Sequence, residues 1–174
     1  LDEPPKIQEP GIESCNCVSF RLEDVQDYWL NDVQIKIMET FIENETPLTI
    51  GIIADTFGND PKITEFVKQN TGKENENLQV ATKEIGLTSF TNYDKNEQNE
   101  NLEESIELRE SNLNVKPHVF IHPGNKFNSD TMEILENNGI THISSSLING
   151  ESPPFEFKGE KVYRFPHVTS TSDY

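Results

Sequence analysis

Apolar residues along this chain come in short blocks whose spacing switches between the period of a strand and that of a helix. Cys17 to Leu22 reads as a strand. From Asn31 to Phe41 the spacing places Val33, Ile37, Met38 and Phe41 on one helical face, with Asn31 as the capping residue. Leu48 to Ala54 is a continuous apolar run bounded by turn residues, the pattern of a strand covered on both faces. Asp60-Pro61 then supplies a cap and a first-position proline for a helix whose stripe is Ile63, Phe66 and Val67. After a polar loop from Asn70 to Asn77, Leu78 to Ala81 is a short strand. Asp94 and Glu97 form a capping-box pair for a long helix with Leu102, Ile106 and Leu113 inward and its acids in solvent. The remaining pattern predicts a strand at Val119 to Ile121, a helix from Asn128 to Asn137 closed by Gly139, and strands at Thr141 to Ser144 and Val162 to Phe165.

Strands alternating with helices in this way imply an α/β fold with parallel strands and right-handed crossovers, either an open doubly wound sheet or a barrel. Both architectures bind ligands where strands end and loops begin. The residues following the strands are Glu23 and Asp24, then Asp55, Lys83, His122, Ser144 to Ser146, and His167.

Composition narrows the partners. The 174 residues suit one domain with a real core. With 31 acidic against 14 basic residues, the net charge of -17 repels phosphate backbones and anionic lipid surfaces, which argues against nucleic acid and favours cations or neutral ligands. The same charge also keeps a chain soluble in a salty medium. No apolar run approaches the roughly 20 residues that span a bilayer, and no basic-then-apolar signal begins the chain. Residues 1–14, with Pro4, Pro5, Pro10 and Gly11, read as an extended arm or linker, and 15–174 as the domain. The run Thr169 to Tyr174 has loop character and no closing strand, so the natural protein is expected to continue. Cys15 and Cys17 are too few for a structural zinc site; oxidation and bridging stay open, and small buried thiols on one strand face are the favoured reading.

Four segments share an order and spacing with a known family. Arg21-Leu22-Glu23-Asp24, the strand end Gly51-Ile52-Ile53-Ala54, the loop Phe120-Ile121-His122-Pro123-Gly124-Asn125-Lys126-Phe127-Asn128 and the tail Tyr163-Arg164-Phe165-Pro166 together resemble a polysaccharide deacetylase of the NodB-homology class, with extracytoplasmic archaeal members looking closest. The resemblance covers roughly residues 15 to 174 and implies a distorted, incomplete (β/α) barrel. It also implies a divalent metal held by one aspartate and two histidines, which polarises an acetyl carbonyl and lowers the pKa of its water while a neighbouring carboxylate acts as base. On this chain Asp24 matches the metal-binding aspartate and Glu23 the base, one methylene longer than usual.

The same resemblance exposes the departures. Lys83 falls at the first metal histidine and Leu87 at the second; an ammonium repels a divalent cation and a leucine offers no lone pair. Lys83 is expected to pair with Asp24 or Glu23 instead. Asp55, His122, Pro123, Asn125 and His167 complete the expected pocket, although His122 takes a position where the family commonly has a proline. The reading is therefore a non-catalytic domain, outside the cytoplasm or at the cell surface, that binds a glycan or a cell-surface protein, with no cofactor expected. The alternative is an active metal-dependent carbohydrate N- or O-deacetylase whose site is rebuilt from Asp24, His122 and His167 around zinc, cobalt or nickel. Ser144 to Ser146 lack the turn of a nucleophilic serine and read as a polar strand end, while His118 and His142 read as core or edge packing. Tyr28 and Trp29 could stack on a sugar or clamp the first helix onto the sheet.

Overall fold

The structure is a computed structural model that describes residues 18–72, 77–83, 85, 90–122, 126–146 and 162–167, the side chains of Ser146 and His167 excepted. The expectations for residues 1–14, Cys15, Cys17, Leu87, Pro123 and Asn125 fall outside these residues. Strands β1 (Phe20–Val25), β2 (Leu48–Ile52), β3 (Leu78–Thr82), β4 (Val119–Ile121), β5 (His142–Ser146) and β6 (Tyr163–His167) form a 6-stranded sheet. Helices α1 (Asn31–Glu43), α2 (Pro61–Gln69), α3 (Lys95–Leu113) and α4 (Ser129–Asn137) follow β1, β2, β3 and β4.

Strand order settles which of the two architectures forms. Every neighbouring pair is parallel and the order is sequential from β1 to β6, with none of the reversal that defines a doubly wound sheet. Right-handed crossovers that always step the same way stack the helices on one face and leave the other free to curl. The curl is visible in a single contact. In a flat sheet β1 and β5 would stand four strand spacings apart, roughly 19 Å, yet Arg21 Nη1 donates to Ser144 Oγ at 2.6 Å. The fold is a distorted, incomplete (β/α) barrel.

The strands bury their alternate residues by period two. Leu22, Ile50, Ile52, Leu78 and Val80 face outward onto Met38 of α1 and onto Ile63 and Val67 of α2. Phe120 and Ile143 continue that layer against Leu102, Ile106, Met132 and Leu135 of α3 and α4. The concave side keeps a smaller apolar patch of Ala81, Val119 and Ile121. The helix boundaries follow their caps. Asp60 accepts from Lys62 N at 2.9 Å ahead of Pro61, Asp94 and Glu97 close a full capping box on α3, and Asn128 does the same for α4 with Thr131.

Three expectations are corrected. The stripe on α1 is rotated: Val33 and Ile37 are exposed, while Gln34 and Met38 are buried, with Ile35, Phe41 and Ile42 packed beside them. Gln34 earns burial by bonding, since its side chain accepts from Gln26 N at 3.1 Å and donates to the carbonyls of Gln26, at 3.1 Å, and Trp29. Asn31 is not the cap of α1; Leu30 holds that place with a left-handed backbone and no side-chain bond, and Asn31 donates to Asp60 instead. Lastly β1 runs on to Val25, so Glu23 and Asp24 lie inside the strand, and β2 stops at Ile52 before a 3-10 turn at Ala54–Thr56.

Gly58 fixes the loop after that turn. Its φ of +123° is one that side-chain-bearing residues rarely adopt, and a β-carbon there would sit 2.2 Å from Asn112 Nδ2, the group that donates to Phe57 O at 2.8 Å. Gly58→Ala is expected to destabilise by about 2 kcal/mol in urea unfolding, through backbone strain and the displaced amide. In an Asn112→Ala background the penalty should shrink, because the strain alone remains; an undiminished penalty would contradict the assignment.

Candidate functional site

Two adjacent residues on a regular strand point to opposite faces, so Glu23 and Asp24 could not share a partner on an unbroken β1. The ladder to β2 breaks there. Leu22 pairs with Ile50 and Val25 with Ile52, so three steps on β1 match two on β2, and Asp24 takes a left-handed φ of 58°. This β-bulge re-aims the carboxylates to a common target. Lys83, the first residue past β3, is that target.

Lys83 Nζ lies 2.5 Å from Asp24 Oδ1 and 3.4 Å from Glu23 Oε2. Its side chain is 8% exposed, against 53% for Asp24 and 34% for Glu23. Glu23 also pairs with Arg21, and Arg21 reaches across the concavity to Ser144, which donates to Phe165 O at 3.1 Å. Two cations and two carboxylates thus form one neutral chain of contacts from β3 through β1 to β5 and β6. Gly51 makes room for Ile121 beside the lysine stem: a β-carbon there would come 2.8 Å from Ile121 Cδ1, and only into ordinary contact, 3.5 Å, with Lys83 Cδ.

A polar stripe on α3 supports this mouth from behind. Ser105 donates to Lys83 O at 2.6 Å, and Lys83 N donates to Ile52 O at 3.2 Å, so the backbone carrying the ammonium is held on both sides. Arg109 is fully buried; its Nη2 donates to Ala54 O at 2.5 Å and its guanidinium lies 5.3 Å from the centre of the Phe57 ring. Burial pushes the Arg109 pKa down to about 10, against the opposing pull of Asp27 and Asp55.

Of the other residues singled out in the sequence, Asp55 and His122 have their places elsewhere. Asp55 stands exposed on the 3-10 turn, within electrostatic reach of Arg109. His122 is buried, its ring edge-on to Phe90 and Phe120 at centroid distances of 5.7 Å, which is a core position. His167 ends β6, and its side chain is not among those described. Tyr28 and Trp29 are exposed, and Tyr28 Oη bonds the carbonyl of Asn59 at 2.7 Å, so they do not clamp α1; Gln34 does that work. Arg21 is the member that sequence reasoning missed, and Ser144, read there as part of a polar strand end, takes a part that the sequence did not assign. Arg21 carried a usable signal, since it lies two residues before Glu23 and so on the same strand face. The strand-end position of Ser144 was legible but its partner was not, because the contact depends on the curl of the sheet.

The metal implied by the resemblance does not fit the donors in place. An ammonium is in contact with the aspartate that would bind it, and among the described residues no group of three or more His, Cys, Asp or Glu side chains is placed to hold an ion. No step through a metal follows from this geometry.

No family model matches the chain, and no curated protein does. Solved structures do. A family 4 carbohydrate esterase from Streptomyces lividans in complex with acetate is 12% identical, with a TM-score of 0.59 over 74% of this chain and 62% of its own. A family 4 (CE4) pseudoenzyme from Bacillus anthracis is 15% identical, with a TM-score of 0.55 over 72% of this chain and 42% of its own. The 4-alpha-glucanotransferase of Thermococcus litoralis is 14% identical, with a TM-score of 0.67 over 85% and 27%. The chain spans less than two thirds of each, and at these identities the likeness establishes the fold: the incomplete barrel is the one that carbohydrate deacetylases of this class use.

On the same concave face His142 stacks on Tyr163 at 5.7 Å and packs against Phe165 at 5.5 Å, near the open edge. Desolvation, with help from the nearby His118, holds its pKa below the usual 6.5. A histidine kept neutral by folding stabilises fully above pH 6.5, and that contribution is lost as pH falls from 6.5 through the lower folded pKa. Thermal melts should therefore show wild type losing more stability than His142→Phe between pH 7 and pH 5. Parallel curves would refute the neutral, packed histidine.

Proposed function

We propose that this chain is a non-catalytic, deacetylase-like domain that binds a glycan or a cell-surface protein outside the cytoplasm, with the Lys83 ammonium standing where the resembled enzymes hold a metal ion. The observation that carries this reading is the contact of Lys83 Nζ with Asp24 Oδ1 at 2.5 Å. A carboxylate pair attracts a divalent cation because its charge is unbalanced, and here Lys83 and Arg21 balance it. Binding a metal at Asp24 would require expelling a buried ammonium, and the ligands offered in return would be carboxylates without imidazole, a weak set for a first-row metal. The acidic surface suits an extracytoplasmic, salty medium and an uncharged or cationic partner.

Elemental analysis after incubation with zinc, cobalt or nickel and removal of free ions is expected to find wild type far below one ion per chain. Lys83→His combined with Leu87→His should raise the metal content several-fold, because it restores imidazoles at the two positions where the resembled family has them. Wild type should be retained on insoluble chitin or peptidoglycan while releasing no acetate from acetylated chitooligosaccharide. Stoichiometric metal in wild type, or acetate release abolished by Asp24→Asn, would establish the enzyme reading in its place.

A further inference from the structure

At the opposite end of the barrel from Lys83, the strand N-termini and the last turns of α2 and α3 enclose an open groove of about 1120 Å³. Its walls include Val18, Pro47 and Val115, and Val18 is 77% exposed, so apolar surface is on offer. The charge on these walls is unlike that of the chain. The sequence has 31 acids among 174 residues, yet no described residue lining the groove is acidic, while Lys68, Lys116 and His118 all line it. Among the described residues Lys36, Lys62, Lys83 and Lys95 each have a carboxylate within 4.0 Å. Lys68, Lys116 and Lys126 have none, and of these Lys68 and Lys116 stand exposed together in this groove. The dipole of α2 accounts for Lys68, which sits in its last turn. It does not account for Lys116, which lies on the loop into β4.

We infer that this groove is a docking site for an extended acidic polypeptide segment of another molecule, with carboxylates for Lys68 and Lys116 and aliphatic side chains for Val18, Pro47 and Val115. Charge complementarity selects the sign of the partner: two unpaired ammonium groups share one groove on a chain of net charge -17. The apolar walls select its class, because an acidic polysaccharide has no aliphatic side chains to bury there whereas a peptide does. This site is separate from the Lys83 mouth, and the inference stands or falls without the functional reading above.

Fluorescence anisotropy on the full chain with a labelled Glu-Val-Glu-Pro-Glu-Ile-Glu-Pro peptide tests it. Saturable binding is expected, weakened at least 10-fold in Lys68→Glu/Lys116→Glu, weakened by added salt, and lost when glutamines replace the peptide's glutamates. Both lysines are exposed, so the variant should stay folded, with its melting temperature lowered only by the lost contact of Lys68 with the α2 dipole, and Lys36→Glu/Lys126→Glu, the same change of charge outside the groove, serves as a control that leaves binding intact. An affinity unmoved by the double charge reversal would overturn the inference, as would failure of the peptide to bind. Tighter, Lys68-dependent and Lys116-dependent binding of polyglucuronate than of the peptide would reassign the groove to an anionic polysaccharide. Binding that appears only after residues 1–17 are deleted would reassign it to the chain's own acidic N-terminal segment.

Discussion

An ammonium with almost no access to water has to be balanced where it sits, and the placement of Lys83 constrains everything around it. Its side chain is 8% exposed, so the cost of desolvating its charge is met by contact with carboxylates or not at all. Asp24 and Glu23 supply that contact only because β1 bulges between Leu22 and Val25. Ser105 holds the Lys83 backbone from α3. Arg21 then compensates the second carboxylate and ties β1 to β5. Neutralising one of the four charged side chains unbalances the mouth of the barrel, and where the buried Lys83 loses its partner this is costlier than losing an exposed ion pair.

The chain of contacts also explains how an open sheet keeps its curvature. Sequential parallel strands curl, but among the described residues β1 and β6 are the two edges and no ladder joins them. The Arg21 to Ser144 bond bridges the concavity with side chains, and Ser144 in turn bonds its ladder neighbour Phe165 O. Structure and candidate site therefore depend on the same polar residues: the groups that make the pocket neutral also draw its walls together.

Most of the frame was legible in the residues. The apolar run of β2, the Asp60-Pro61 start of α2 and the Asp94 and Glu97 box of α3 are local signals, and each marks a real element. The face of α1 was not legible, because burial there follows hydrogen bonding: Gln34 goes inside with three bonds while Val33 and Ile37 stay in solvent. Polar residues at helical spacing on α3, Ser105 and Arg109, hid among its exposed acids for the same reason. Proximity of Lys83 to Asp24 was a guess that only the resemblance could suggest, and the bulge that permits it has no glycine to announce it. Barrel against doubly wound sheet depended on strand order, which single-sequence patterns do not encode.

The central claim is that Lys83 and Asp24 stabilise each other as a charged pair, and a double-mutant cycle measures that directly. Urea unfolding of wild type, Lys83→Met, Asp24→Asn and the double variant should give a coupling of about 1–3 kcal/mol, with the double variant more stable than the sum of the single losses allows. Strict additivity of the two substitutions would mean that the ammonium and the carboxylate do not interact, and the account of the pocket would be wrong.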